Sequence, residues 1–134
     1  GISMKEPEVF TSNSLTIEIY DNDAIKILWK GRSTERDPST FIVPILFNSL
    51  ERGEETKKQI IMDFSEMEFM NSSSFSPIAK MLERAKQTSL TSLFFTTGLK
   101  NGRNYRLPPC RYSQPKTTIF LLPGNEHEQT KRYL

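Results

Sequence analysis

The chain reads as an α/β fold, and three observations carry that expectation. An apolar run, Ile60 to Phe64, has the length of a buried strand. Residues 15–29 hold two alternating apolar segments around a short Asx-rich connection, the pattern of a β-hairpin. Two stretches, about Thr40 to Arg52 and about Ser74 to Lys86, repeat apolar residues at helical spacing. Strands alternating with helices imply a sheet with helices packed on it.

Residues 1–12 carry no clear period and are taken as an N-terminal extension. In the hairpin, Leu15, Ile17 and Ile19 alternate with Thr16, Glu18 and Tyr20. Ile25, Ile27 and Trp29 alternate with Lys26 and Leu28, and Asp21-Asn22-Asp23 makes the turn. Lys30-Gly31-Arg32-Ser33 is expected to leave the sheet, and the polar residues 33–40, with Pro38, to form a loop. Pro44 is tolerated only near a helix start, so the regular helix should begin about one turn before it. Gly53 suits the position just past its end.

Ile60 to Phe64 is apolar but for Asp63 and does not alternate strictly, which predicts a central strand covered on both faces. The second helix has an apolar stripe of Phe75, Ile78, Ala79, Leu82 and Ala85, and a wet face of Lys80, Glu83, Arg84 and Lys86. Leu90 to Thr97 reads as the next strand. Residues 98–115 hold Gly98, Gly102, Pro108, Pro109 and Pro115 without a period. Thr117 to Leu122 suits a strand, and Gly124 to Leu134 is polar and expected to fray. The organisation is thus one domain over residues 13–97 and an atypical segment over 98–134 that completes the sheet or stays mobile.

With 134 residues the chain is long enough to bury a real core in one domain. It has no apolar stretch of the roughly 18 residues a membrane span needs, and no basic start leads into an apolar run. Cys110 is the one cysteine, so no internal disulfide forms, and a cytoplasmic location is the expectation. The net charge of +2 is uneven: residues 1–97 carry −3 and residues 98–134 carry +5. The basic end, with Arg103, Tyr105, Arg106, Arg111 and Tyr112, raises nucleic-acid contact as the weakest alternative, with a solvated arm preferred.

The segment with most chemistry is Asn71-Ser-Ser-Ser-Phe75, where three hydroxyls arrive as a helix begins. Free N–H groups and the positive end of the helix dipole meet there. A serine in that place caps the helix or carries a phosphate. Pro77 helps to choose among the three. With Ser73 as the N-cap, its ring would crowd the Ser73 carbonyl; with Ser74 as the N-cap, it is the third helical residue and costs little. Ser74 is therefore the expected cap, which leaves Ser72 and Ser73 for another task. A phosphoserine adds roughly −1.5 to −2 charges. Flanked by Phe69, Met70 and Phe75, it would repel a docked partner while the fold survives.

This block resembles the STAS domain, found in sulfate transporters and bacterial anti-sigma-factor antagonists. The likeness covers about residues 13–97: the hairpin, the glycine of Trp29-Lys-Gly31, the first helix, and Ile60 to Lys86. In the family, an apolar strand ending in Asp-Leu-Ser is followed by an apolar doublet and Asp-Ser-Ser-Gly before a helix. Here those places hold Asp63-Phe64-Ser65, Phe69-Met70 and Asn71-Ser72-Ser73-Ser74. Asn71 stands for the family's Asp, Ser74 for its Gly, and residues 98–134 lack its helix-rich ending. An altered reading frame after about Lys86 would give the same abrupt shift in composition; the other frames of the gene would then encode an amphipathic helix there.

The resemblance implies a mixed β-sheet and a partner-switching regulator, an anti-sigma-factor antagonist. Ser72, with Ser73 as second choice, takes the place of the phosphorylated serine. Phe69, Met70, Asn71, Ser72, Ser73, Ser74 and Phe75 form the docking surface. The implied partners are a serine kinase that doubles as an anti-sigma factor and a serine phosphatase. A homodimer is compatible with this reading, and neither a cofactor nor a membrane is called for. A docking module without a phosphorylation cycle is the main alternative. An enzyme is disfavoured: His127 is the one histidine, no Gly-x-Ser-x-Gly elbow is present, and one Cys with one distant His does not make a zinc site.

Overall fold

The computed structural model describes residues 6–87, 92–96, 118–122 and 131–133. The elements in order are β1 (Glu8–Ser12), β2 (Leu15–Asp21), β3 (Ile25–Ser33), α1 (Ser39–Thr56), β4 (Ile60–Met70), a 3-10 turn (Ser72–Ser74), α2 (Phe75–Ala85), β5 (Ser92–Thr96), β6 (Thr118–Leu122) and β7 (Lys131–Tyr133). The seven strands lie side by side in chain order. β1, β2 and β3 are antiparallel neighbours. β3 through β6 run parallel, and β7 returns antiparallel to β6. The α/β class is as the periodicities predict, and the sheet is mixed.

The hairpin forms as expected, with Ile17 opposite Trp29 and Asp21 opposite Ile25. Four differences from the sequence reading matter. Residues 8–12 are an edge strand rather than an extension, paired along β2 without a break. Lys30 to Ser33 stays in the sheet, because Gly31 adopts φ 88° and lets β3 pass close to the Ser14 carbonyl. β4 runs on to Met70 instead of ending at Phe64. Towards the C-terminus, residues 131–133 form a strand where fraying was expected.

The extension of β4 has a local cause. Its register against β3 slips twice, between Leu28 and Lys30 and between Gly31 and Arg32. Each slip is a bulge that frees backbone groups. At the first, the Phe64 N–H donates to Thr96 Oγ1 at 2.6 Å and the Ser65 N–H donates to Asp63 Oδ1 at 2.9 Å. The Ser65 hydroxyl donates to the same carboxylate at 2.6 Å. Asp63-Phe64-Ser65 thus closes a bulge within β4.

β4 is also not covered evenly on both faces. Ile60, Met62 and Phe64 are buried, whereas Ile61 and Asp63 are half-buried. The buried side belongs to one cluster with Ile17, Ile27, Phe95, Leu46 and Ile78, so α1 and α2 lie on the same face. The opposite face carries polar pairs: Lys26–Asp63 at 3.4 Å and Lys30–Glu18 at 3.4 Å. There the Tyr20 hydroxyl donates to Glu18 at 2.7 Å. That hydrogen bond, then desolvation and the Glu18 charge, raises the Tyr20 pKa above its ordinary value.

α1 runs one turn beyond Arg52. Gly53 is buried inside it, and Lys57 takes the left-handed conformation at φ 57°, its N–H returning to the Gly53 carbonyl. Pro44 is the sixth residue and exposed, so its missing N–H costs one bond on the wet side.

Trp29 is fully buried against Phe64, with ring centroids 5.0 Å apart. Its Nε1 has no hydrogen-bond partner among the described residues. An unpaired buried donor costs about 1–3 kcal/mol. Trp29→Phe removes that cost while losing packing volume. Its expected net change is within about 1 kcal/mol, against about 3–5 kcal/mol for Trp29→Ala. Urea unfolding checks this; a Phe variant as damaged as the Ala variant would show that the indole N–H is satisfied.

Candidate functional site

The site lies where β3 and β4 end together. The two bulges carry β4 to Met70, opposite Ser33, and the Asn71 N–H donates to the Ser33 carbonyl at 3.0 Å. That bond fixes where the chain turns into the helix. Asn71 has an extended backbone, φ −80° and ψ 172°. Its Oδ1 accepts the Ser74 N–H at 3.1 Å and lies 2.7 Å from Ser74 Oγ. Its Nδ2 donates to the Glu35 carbonyl at 2.8 Å. Asn71 therefore caps the helical segment and ties it to the loop after β3.

Ser74 is the N-cap of α2 by position, and Pro77 is the third helical residue as expected. Its hydroxyl does not cap, however. Ser74 is fully buried with helical backbone angles, and its Oγ lies 2.6 Å from Ser33 Oγ. Each hydroxyl has one proton. Ser33 donating to Ser74, and Ser74 to Asn71 Oδ1, satisfies both buried groups. The capping side chain is Asn71, because a 3-10 turn precedes α2 and moves the first free N–H groups back to residues 72–74.

This network divides the three serines. Ser72 is exposed, Ser73 half-buried and Ser74 buried. Ser72 makes no side-chain hydrogen bond among the described residues. No acidic residue stands in the first turn of the 3-10 segment or of α2. An anion on Ser72 would meet the positive end of the helical segment without a like charge in that turn.

The expected apolar rim is smaller than Phe69, Met70 and Phe75. Met70 and Phe75 are half-buried and pack against the core, while Phe69 is 37% exposed. The Arg32 guanidinium lies over the Phe69 ring, 5.1 Å from its centroid. Ser74, being buried, offers no accessible atom to a partner. Sequence reasoning missed Arg32 and Ser33, in the stretch read as leaving the sheet, and Glu35, in the loop read over residues 33–40. The alternation that would place Ser33 inward is hidden by the positive φ of Gly31.

Cys110, His127 and the basic residues 103–112 lie outside the described residues. Among the described residues no group of three His, Cys, Asp or Glu side chains is placed to hold a metal ion. No described helix is long and apolar enough to cross a membrane. No family model, curated protein or solved structure matches the chain.

Proposed function

We propose that this protein is a partner-switching regulator of the anti-sigma-antagonist kind, with Ser72 as its phosphorylation switch. The observation that carries the proposal is the division of the serine cluster: Ser74 and Asn71 hold the turn from inside, while Ser72 is exposed in the same turn, three residues after exposed Phe69. The lock means that modification of Ser72 need not disturb the fold. A phosphate there adds roughly −1.5 to −2 charges at the edge of an apolar contact, and a docked partner would have to desolvate it. The partner is a serine kinase that also acts as an anti-sigma factor, and a serine phosphatase reverses the mark.

Two measurements test this. Peptide mass spectrometry across residues 60–86 of protein from its native host should find phosphate on Ser72 that changes with growth condition. In binding to the captured kinase, Ser72→Ala should match the wild type and Ser72→Glu should weaken binding about tenfold or more, about 1.4 kcal/mol. Both variants should keep wild-type stability within about 0.5 kcal/mol. Equal binding by both would reject the switch and leave a plain docking module.

A further inference from the structure

The two edges of the sheet are built differently. An exposed strand edge offers unpaired N–H and C=O groups, and proteins blunt it with lysines, prolines, bulges or a very short strand. β7 is three residues long and contains Lys131 and Arg132. β1, at the other edge, has five residues, an unbroken register with β2, and neither lysine nor proline. Its one charge, Glu8, is tied to Arg52 at 3.2 Å. Val9 is 56% exposed, the more exposed of two large apolar side chains that are exposed among the described residues. The other is Phe69, at the proposed switch.

A groove runs beside this edge. Glu8, Phe10 and Ser12 stand opposite Ile19, Ile17 and Leu15, all buried, and so share the helix side of the sheet. Between β1 and α1 lies an open cavity of about 250 Å³, lined in part by Phe10, Ile19, Phe41, Pro44 and Asn48. Phe10 thus belongs both to the open edge and to an apolar trough along it.

We propose that β1 is a homodimerisation edge, where a second copy of this chain pairs antiparallel with Phe10 opposite its own counterpart. The strand complements itself. The one register that pairs all five residues places Phe10 on the two-fold axis, Val9 opposite Thr11 and Glu8 opposite Ser12. No like charges then meet, and two β-branched pairs form on the open face. On the helix face the two Phe10 rings meet above the groove and close it from both copies. The joined sheet would continue through both chains. This inference does not depend on Ser72.

The test uses the full chain in sedimentation velocity over a wide concentration range. The wild type should move from the 15.5 kDa monomer to twice that mass. Val9→Lys, which adds the usual edge blocker at an exposed position, should weaken association about tenfold or more, with an unchanged melting curve at concentrations where the wild type is monomeric. Oxidised Phe10→Cys in a Cys110→Ser background should form a covalent dimer. Directly opposed strand residues have Cα atoms about 4.5–5.5 Å apart, inside disulfide reach. Val9→Cys in the same background should not, because Val9 faces Thr11 and stands diagonal to its own copy. A wild type that stays monomeric overturns the proposal. So does a dimer that Val9→Lys leaves intact, or one that links through Val9→Cys in preference to Phe10→Cys. Should Phe10→Cys fail to fold, the Val9 variants decide alone.

Discussion

Gly31→Ala is expected to cost about 3 kcal/mol of folding stability, roughly 10 °C in melting temperature for a chain of this size. Gly31 sits at φ 88°, where a side chain strains the backbone. A Cβ built there would lie 2.2 Å from the Ser14 carbonyl oxygen. That oxygen cannot swing aside: it is main chain in the turn just before β2 and accepts the Arg32 N–H at 3.1 Å. Alanine also narrows the unfolded ensemble, which offsets only about 0.4–1 kcal/mol. The damage should reach the site, since Arg32 and Ser33 follow at once. Thermal and urea unfolding of Gly31→Ala measure the loss; a change under about 1 kcal/mol would falsify the close approach.

That glycine also marks where the sequence stopped being legible. Strict alternation placed Ile17, Ile27 and Trp29 on one face, and all three are buried there. The stripe of α2 was legible for the same reason, except that Met81 is buried and Phe75 and Ala79 are only half-buried. Period two fails as a guide once a strand bulges. β4 slips twice against β3, so Met67 is buried out of phase with Phe64, and the polar residues Ser65, Glu66 and Glu68 resemble a loop. Likewise Lys30 to Ser33 looks like an exit from the sheet, because the residue that permits β3 to continue is a glycine. At the site, the chain's order showed which residue types gather near a helix start. It could not show that Ser33, 41 positions before Ser74, supplies the hydroxyl that buries it. β1 was missed because five residues with one half-buried aromatic carry too little period to stand out.

Asn71 gives the second large effect, and its sign separates two explanations of the turn. Asn71→Ala removes the acceptor for the Ser74 N–H and hydroxyl and the donor to Glu35, for an expected cost of about 2–3 kcal/mol. Asn71→Asp is the sharper variant, because it keeps the size of the side chain and the Oδ1 acceptor but removes the Nδ2 donor. At a simple helix cap Asp and Asn are nearly equal, and the negative charge gains about 0.3–1 kcal/mol from the helix dipole. Here the Nδ2 donates to the Glu35 carbonyl at 2.8 Å, and an aspartate would set two acceptors against each other. The expected result is therefore a net loss of about 1–2 kcal/mol. On this account Asn71 and Ser74 act together: Asn71 ties the turn to the loop after β3, and the Ser74 hydroxyl completes the same buried chain through Ser33. A double-mutant cycle on Asn71→Asp and Ser74→Gly should then show coupling of about 1 kcal/mol. If Asn71→Asp is neutral or stabilising in urea unfolding, Asn71 is an ordinary cap. Ser72 would then sit on a turn held by the Ser33–Ser74 contact alone, and the claim that phosphate leaves the fold undisturbed would lose its main structural support.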